Sequence, residues 1–88
     1  MNFLHYAVTI GPDDVVRVDL RGSAANVLVM DDLNFQSFKL GQPYRYYGGH
    51  FTRSPAIIRP PSGGPWNVVV NLGGFAGTVN AVVQVVHA

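Results

Sequence analysis

The twelve positions from Tyr44 to Pro55, YRYYGGHFTRSP, hold the densest set of side chains able to do chemistry. Tyrosine offers a flat apolar face with a polar tip, and arginine can clamp a carboxylate or phosphate. Paired glycines let a backbone approach a ligand closely. Tyr46, Tyr47, Gly48, Gly49, His50, Arg53 and Ser54 are therefore the candidate recognition surface, joined by Asn34 and Phe35 from the helical turn expected before them. In this arrangement Tyr46 and Tyr47 stack on a ligand, Arg53 fixes an anionic or carbonyl group, and His50 hydrogen-bonds. The plainer role for the same residues is a hairpin turn at Gly48-Gly49 flanked by half-buried aromatics.

Catalytic chemistry is not specified. His50 and Ser54 lie four positions apart, so on an extended strand they share a face about 13 Å from each other, beyond hydrogen-bond reach. No G-x-S-x-G nucleophile elbow occurs. The paired carboxylates Asp13-Asp14 and Asp31-Asp32 fall at turn and helix-cap positions, where Asp satisfies backbone amides. His5, His50 and His87 show no H-x-H or H-x-x-x-H spacing, which disfavours a metal site. Gly73-Gly74 with Gly77 is not followed by Gly-Lys-Ser/Thr and reads as a hairpin loop instead of a phosphate cradle. The expectation is a non-enzymatic domain with no cofactor and no metal.

Composition supports a β scaffold for these residues. The 88 residues include fourteen Val, ten Gly and six Pro, but one Lys, no Glu and no Cys. Strand formers dominate. Charged residues make up 12%, about half the usual share, which disfavours a disordered chain or a coiled coil. A single domain over residues 1–88 remains, without a disulfide staple or a thiolate metal site. Six Lys+Arg against five Asp give a net charge of +1, too little to steer the chain to nucleic acid or an anionic membrane. Stacking of single-stranded bases on Tyr44, Tyr46, Tyr47 and Phe51 would find few phosphate partners.

The charge is unevenly placed, since no residue from Pro60 to Ala88 carries a formal charge. Residues 66–86 are uncharged and long enough to span a bilayer. Asn67, Asn71, Asn80 and Gln84 within them argue against a span, and the N-terminal MNFLHYAVTI has no basic n-region of a signal peptide. The expected location is cytoplasmic, with no membrane partner.

Period-2 alternation organises the elements. Residues 3–10 place Leu4, Tyr6, Val8 and Ile10 on one face. Gly11-Pro12-Asp13-Asp14 is a turn, and residues 15–21 put Val16, Val18 and Leu20 inward. Residues 26–31 are apolar on both faces and predict a central strand. An Asp31 or Asp32 N-cap, Phe35 and Phe38 three apart, and a Gly41 stop predict one short helix near 32–39. Residues 44–47, 50–53 and 57–58 suit edge strands. In the tail, Trp66, Val68, Val70 and Leu72 share a face, as do Val79, Ala81, Val83 and Val85. Pairing them as a hairpin with partner numbers summing to 151 sets Asn71 against Asn80 and Asn67 against Gln84. The expected fold is an all-β, antiparallel, jelly-roll-like sandwich of about seven or eight short strands with one short helix.

The pieces NFLHY, AANVLVMDDLNF, YYGGHFTRSPAII and GGPWNVVVNLGGFAGTV together resemble a small bacterial family known as domain of unknown function 1883. The likeness covers most of the chain, and YYGGHFTRSP is its most specific part. It implies a compact all-β domain, found alone or attached to TIR-type signalling domains, and supplies no catalytic residues. The chain ends at Ala88 without a TIR segment, so a signalling role would need a separate partner. Strand order and glycine placement are also loosely similar to jelly-roll-like binding modules of secreted enzymes, a fold-level analogy.

The leading functional expectation is a non-catalytic sensor or binding module for a small ligand or protein. The alternative is a homo-oligomerisation module using the neutral outward face of the last hairpin, formed by Asn67, Val69, Asn71, Asn80, Val82 and Gln84. Single-stranded nucleic acid or carbohydrate binding is a third expectation.

Overall fold

The computed structural model describes residues 2–87. In chain order the elements are β1 (Leu4–Ile10), β2 (Val15–Gly22), β3 (Ala25–Met30), α1 (Asp32–Lys39), β4 (Tyr47–Phe51), β5 (Ala56–Ile58), β6 (Gly64–Asn71) and β7 (Val79–Val86). They build two antiparallel sheets, one of four strands in the order β1-β6-β3-β4 and one of three in the order β5-β2-β7. The short strands β4 and β5 occupy edges, as the glycines within β4 and the prolines flanking β5 predict.

The alternating faces explain the layers. Val16 and Val18 of β2, Val27 and Val29 of β3, and Val68 and Val70 of β6 are buried between the sheets with Trp66 and Ile58. Each such Val contributes about 1.5–3 kcal/mol on burial. A second apolar layer lies on the outer side of the four-stranded sheet. There Leu28, Met30 and Val69 meet Phe35 and Phe38 of α1, with Phe3 and Tyr44 packed against them. β3 and β6 are thus covered on both faces, which is why neither alternates cleanly in sequence.

Local chemistry sets the ends of α1. The Asp31 carboxylate accepts the Asn34 backbone N–H at 2.8 Å, and Asp32 sits in the first turn while Lys39 sits in the last. At the other end Gln42 N–H donates to the Ser37 carbonyl at 2.9 Å and Gly41 N–H to Phe38 at 3.2 Å, a Schellman closure with Gly41 at φ +71°. In the β1–β2 turn, Gly11 N–H donates to Asp14 Oδ2 at 2.7 Å. Among the described residues, no helix is long and apolar enough to cross a membrane.

The expected last hairpin does not form. β6 pairs with β1 and β3, whereas β7 pairs with β2 in the other sheet, so Gly73–Thr78 carries the chain across the sandwich. The face assignment of both strands holds, because Val68 and Val70 face Val83 and Val85 through the core. Parity alone is equally satisfied by strands stacked across a core and by strands paired side by side, so the register of 151 had no independent support. The amide pairs change accordingly: Asn71 bonds Asn26, and Asn67 bonds His5 and Asp32.

The neutral self-association face is also divided. Asn67, Val69 and Asn71 are buried on the outer side of the four-stranded sheet, while Asn80, Val82 and Gln84 are exposed on the other sheet. Nor is the exposed half isolated from charge, since Arg21, Asp19 and Arg17 are its register partners on β2. Gly48-Gly49 is not a turn. Both glycines lie within β4, paired with Leu28 and Val27.

Candidate functional site

β4 shows why the aromatic segment cannot act as one surface. Tyr46 immediately precedes β4 and Tyr47 opens it, and their aromatic neighbours place the two rings on different sides of the sheet. Tyr47, the register partner of Val29, lies on the side of Trp66, with ring centroids 5.9 Å apart and edge-on, and is still 45% exposed. Tyr46 lies on the outer side, 5.8 Å from the Tyr44 ring, which itself stands edge-on to Phe38 at 5.1 Å. Phe38, Tyr44 and Tyr46 form a ladder of rings rising from the end of α1.

This ladder is one wall of a groove of about 1070 Å³. The groove lies at the end of the four-stranded sheet where β1 and β3 begin and β4 and β6 finish. The Gly73–Thr78 crossover makes the opposite wall and carries Phe75, which is 77% exposed. Its base is pinned, because Ser23 N–H donates to the Thr78 carbonyl at 2.8 Å and Thr78 N–H to Ser23 Oγ at 3.2 Å.

A row of polar side chains crosses the floor on three adjacent strands. Asn26 Nδ2 donates to Asn71 Oδ1 at 3.0 Å, and His50 Nδ1 donates to Asn26 Oδ1 at 3.1 Å. Asn71 Oδ1 also accepts Gly73 N–H at 2.9 Å, tying the crossover to the floor. Since Asn26 Oδ1 is an acceptor, the contact makes His50 Nδ1 a donor, and in the neutral imidazole this tautomer leaves Nε2 to accept from a ligand. No formally charged residue is among the described residues lining this groove.

The remaining sequence candidates separate. Tyr46, Gly49 and His50 line the groove. Tyr47 and Asn34 line a smaller recess of about 620 Å³ at the other end of the sheet, with Arg45 and Asp32. Asn34 is occupied there in holding the chain, since its Oδ1 accepts Arg45 N–H at 2.8 Å. Phe35 belongs to the helix–sheet core, stacked on His5 at 4.1 Å between centroids. Ser54 Oγ accepts Leu20 N–H at 2.8 Å on the other sheet, and exposed Arg53 lies beside it in the same bend. Gly48 is a close-packing position, where an added Cβ would strike the Val27 carbonyl oxygen.

Sequence reasoning missed Asn26 and Phe75, and it placed Asn71 on a self-association face instead of in the groove. A usable signal existed for the two amides, because Asn26 near the start of ANVLVM and Asn71 at the end of GPWNVVVN each adjoin a run of apolar residues, and a buried amide requires a partner. Phe75 carried no such signal.

The shifted titrations lie outside the groove. The Gly11 amide, and then His87, hold the Asp14 carboxyl below its ordinary range, while Asp19 raises the Arg17 guanidinium. Both serve turn and surface geometry. Among the described residues, no three His, Cys, Asp or Glu side chains gather as a metal site.

No curated protein and no solved structure matches this chain. The family described as Domain of unknown function (DUF1883) matches it over residues 1–88, the full sequence, and the chain belongs to that family.

Proposed function

We propose that this domain is a non-catalytic binding module whose recognition surface is the groove between the Phe38–Tyr44–Tyr46 ladder and the Gly73–Thr78 crossover. One observation carries the reading: the exposed rings of Tyr46 and Phe75 line the same groove as the hydrogen-bonded row of Asn71, Asn26 and His50. Concave sites that join apolar walls to a few oriented polar groups are the usual form of a ligand pocket. The same floor favours binding over turnover, because His50 is oriented by an amide and meets no nucleophile or carboxylate among the described lining residues. Following the family resemblance, we place the module as a sensor part of bacterial proteins.

Amide NMR with a fragment library tests the reading. Shifts concentrated at Tyr46, His50 and Gly73–Thr78 support it. A response confined to the Tyr47–Trp66 recess, or none in the groove, overturns it.

A second reading, self-association, rests on β7. This eight-residue strand is an edge of its sheet, carries no formal charge and exposes Val82 at 58%. Uncharged edges are where strands of two copies pair. Sedimentation decides it: a dimer at tens of micromolar that Val82→Lys dissociates supports this reading, and a monomer removes it.

A further inference from the structure

We infer that the ligand class of the groove is a neutral oligosaccharide, held by ring stacking and by the amide floor. This inference rests on the binding reading above and narrows it to one chemistry.

Charge is the first discriminator. The described residues lining the groove contribute no Asp, Glu, Lys or Arg, although the chain has eleven such residues in its other parts. An anionic or cationic ligand entering such a site would lose hydration without gaining a counter-charge. Nucleic acid, acidic glycans and charged peptides are therefore poorly served there, while a neutral polar ligand loses little.

The second discriminator is the pairing of surfaces. A pyranose ring presents a face of C–H bonds and a rim of hydroxyls, each hydroxyl both donor and acceptor. The groove answers each part separately. Tyr46, 46% exposed, and Phe75, 77% exposed, supply flat apolar faces on opposite walls. On the floor, Asn71 Oδ1 is saturated by Asn26 and Gly73, which leaves Asn71 Nδ2 as a donor, and Nε2 of the neutral His50 imidazole is the matching acceptor. The floor amides are fixed by their own bonds, so they are oriented before the ligand arrives.

Size is the third. At about 1070 Å³ the groove lies just above the ~300–1,000 Å³ range of small-molecule sites. It holds several rings, which favours a short chain over a single sugar.

The test is amide NMR titration of the intact domain with neutral hexasaccharides (cello-, xylo-, manno- and laminari-hexaose), with hexagalacturonate and oligo-dT as charged arms. Saturable shifts at Tyr46, His50 and Phe75 with a neutral oligomer, and none with the charged arms, are expected. Tyr46→Ala should weaken binding about threefold to tenfold through loss of stacking, and Tyr46→Phe should retain it. Tyr47→Ala, in the far recess, should leave it unchanged. Equal binding of hexagalacturonate or oligo-dT overturns the inference. If non-sugar fragments occupy the groove while every hexasaccharide fails, the saccharide inference falls and the binding reading stands. If nothing occupies the groove, both fall.

Discussion

Asn26 and Asn71 are direct register partners on β3 and β6, and their side-chain amides meet at 3.0 Å on the floor of the groove. One bond thereby joins the sheet, the crossover and the candidate site, because Asn71 also accepts Gly73 N–H and Asn26 also accepts from His50. Removing Asn71 strands Asn26 Nδ2 and Gly73 N–H, and removing Asn26 strands His50 Nδ1. Asn71→Ala should cost about 1–3 kcal/mol, read as a lower urea midpoint at unchanged m-value. The Asn26→Ala/Asn71→Ala cycle should show a coupling of at least about 0.5 kcal/mol, and strictly additive losses would contradict the network.

The partner of β7 can be checked chemically, since the chain has no cysteine to interfere. Arg17 and Gln84 are register partners, close enough for a cross-strand disulfide. The Arg17→Cys/Gln84→Cys protein should oxidise to an intramolecular bridge under mild conditions. Asn71→Cys/Asn80→Cys, the pair a terminal hairpin would align, should stay reduced while Trp66 fluorescence reports a folded core.

That contrast marks how far the sequence could be read. The Asp31 cap, the Phe35–Phe38 spacing and the Gly41 stop are local signals, and α1 occupies the stretch they delimit. Faces were equally legible, since alternation places Val68, Val70, Val83 and Val85 in the core whichever strand lies beside which. Partner choice is non-local and was not encoded in parity. The site failed for the same reason. Tyr46 through Ser54 are neighbours in sequence, but Tyr46 packs by Tyr44 while Tyr47 packs by Trp66 on the other side, and the bend before β5 carries Ser54 to Leu20 of the other sheet. The groove is assembled from Asn26, His50, Asn71 and Phe75, which no local pattern links.

Gly48 tests the close packing of β4 on β3. Its φ of +119° is rarely adopted by L side chains, and a Cβ would strike the Val27 carbonyl oxygen. Gly48→Ala should therefore destabilise by about 2 kcal/mol or more. Gly41→Ala, at φ +71° with open space around it, should cost only about 1–2 kcal/mol. Equal thermal midpoints for the two variants would show that β4 does not approach β3 this closely.

The Asp14 carboxyl gives a pH signature of known sign. It is held below its ordinary range first by the Gly11 amide and then by His87 Nδ1, which donates to Asp14 Oδ1 at 2.9 Å. A depressed carboxyl stabilises the fold fully above its unfolded value, near ~3.9, and loses that contribution as pH falls through the folded value. The stability gap between the native sequence and Asp14→Asn should be constant down to about pH 4 and close below it. His87→Ala should preserve most of the gap, because the Gly11 bond is the larger cause.

Phe35 separates a structural aromatic from a recognition aromatic. It is 7% exposed, stacked on His5 at 4.1 Å, edge-on to Phe3 at 6.2 Å, and covered by the Lys39 ammonium 4.7 Å above its ring. A ring enclosed in this way contributes packing and offers no face to a ligand. Phe35→Ala should lower stability by about 3–5 kcal/mol, the usual cost of emptying an aromatic site in a core. Because α1 covers Leu28, Met30 and Val69, the lost protection should appear in hydrogen exchange of β3 and β6 before it appears in β2 and β7. Tyr46→Ala should leave both the melting curve and that exchange pattern nearly unchanged, since its ring is 46% exposed. The reverse result, a stable Phe35→Ala protein beside an unfolded Tyr46→Ala protein, would exchange the roles of the two rings and place the groove wall in the core.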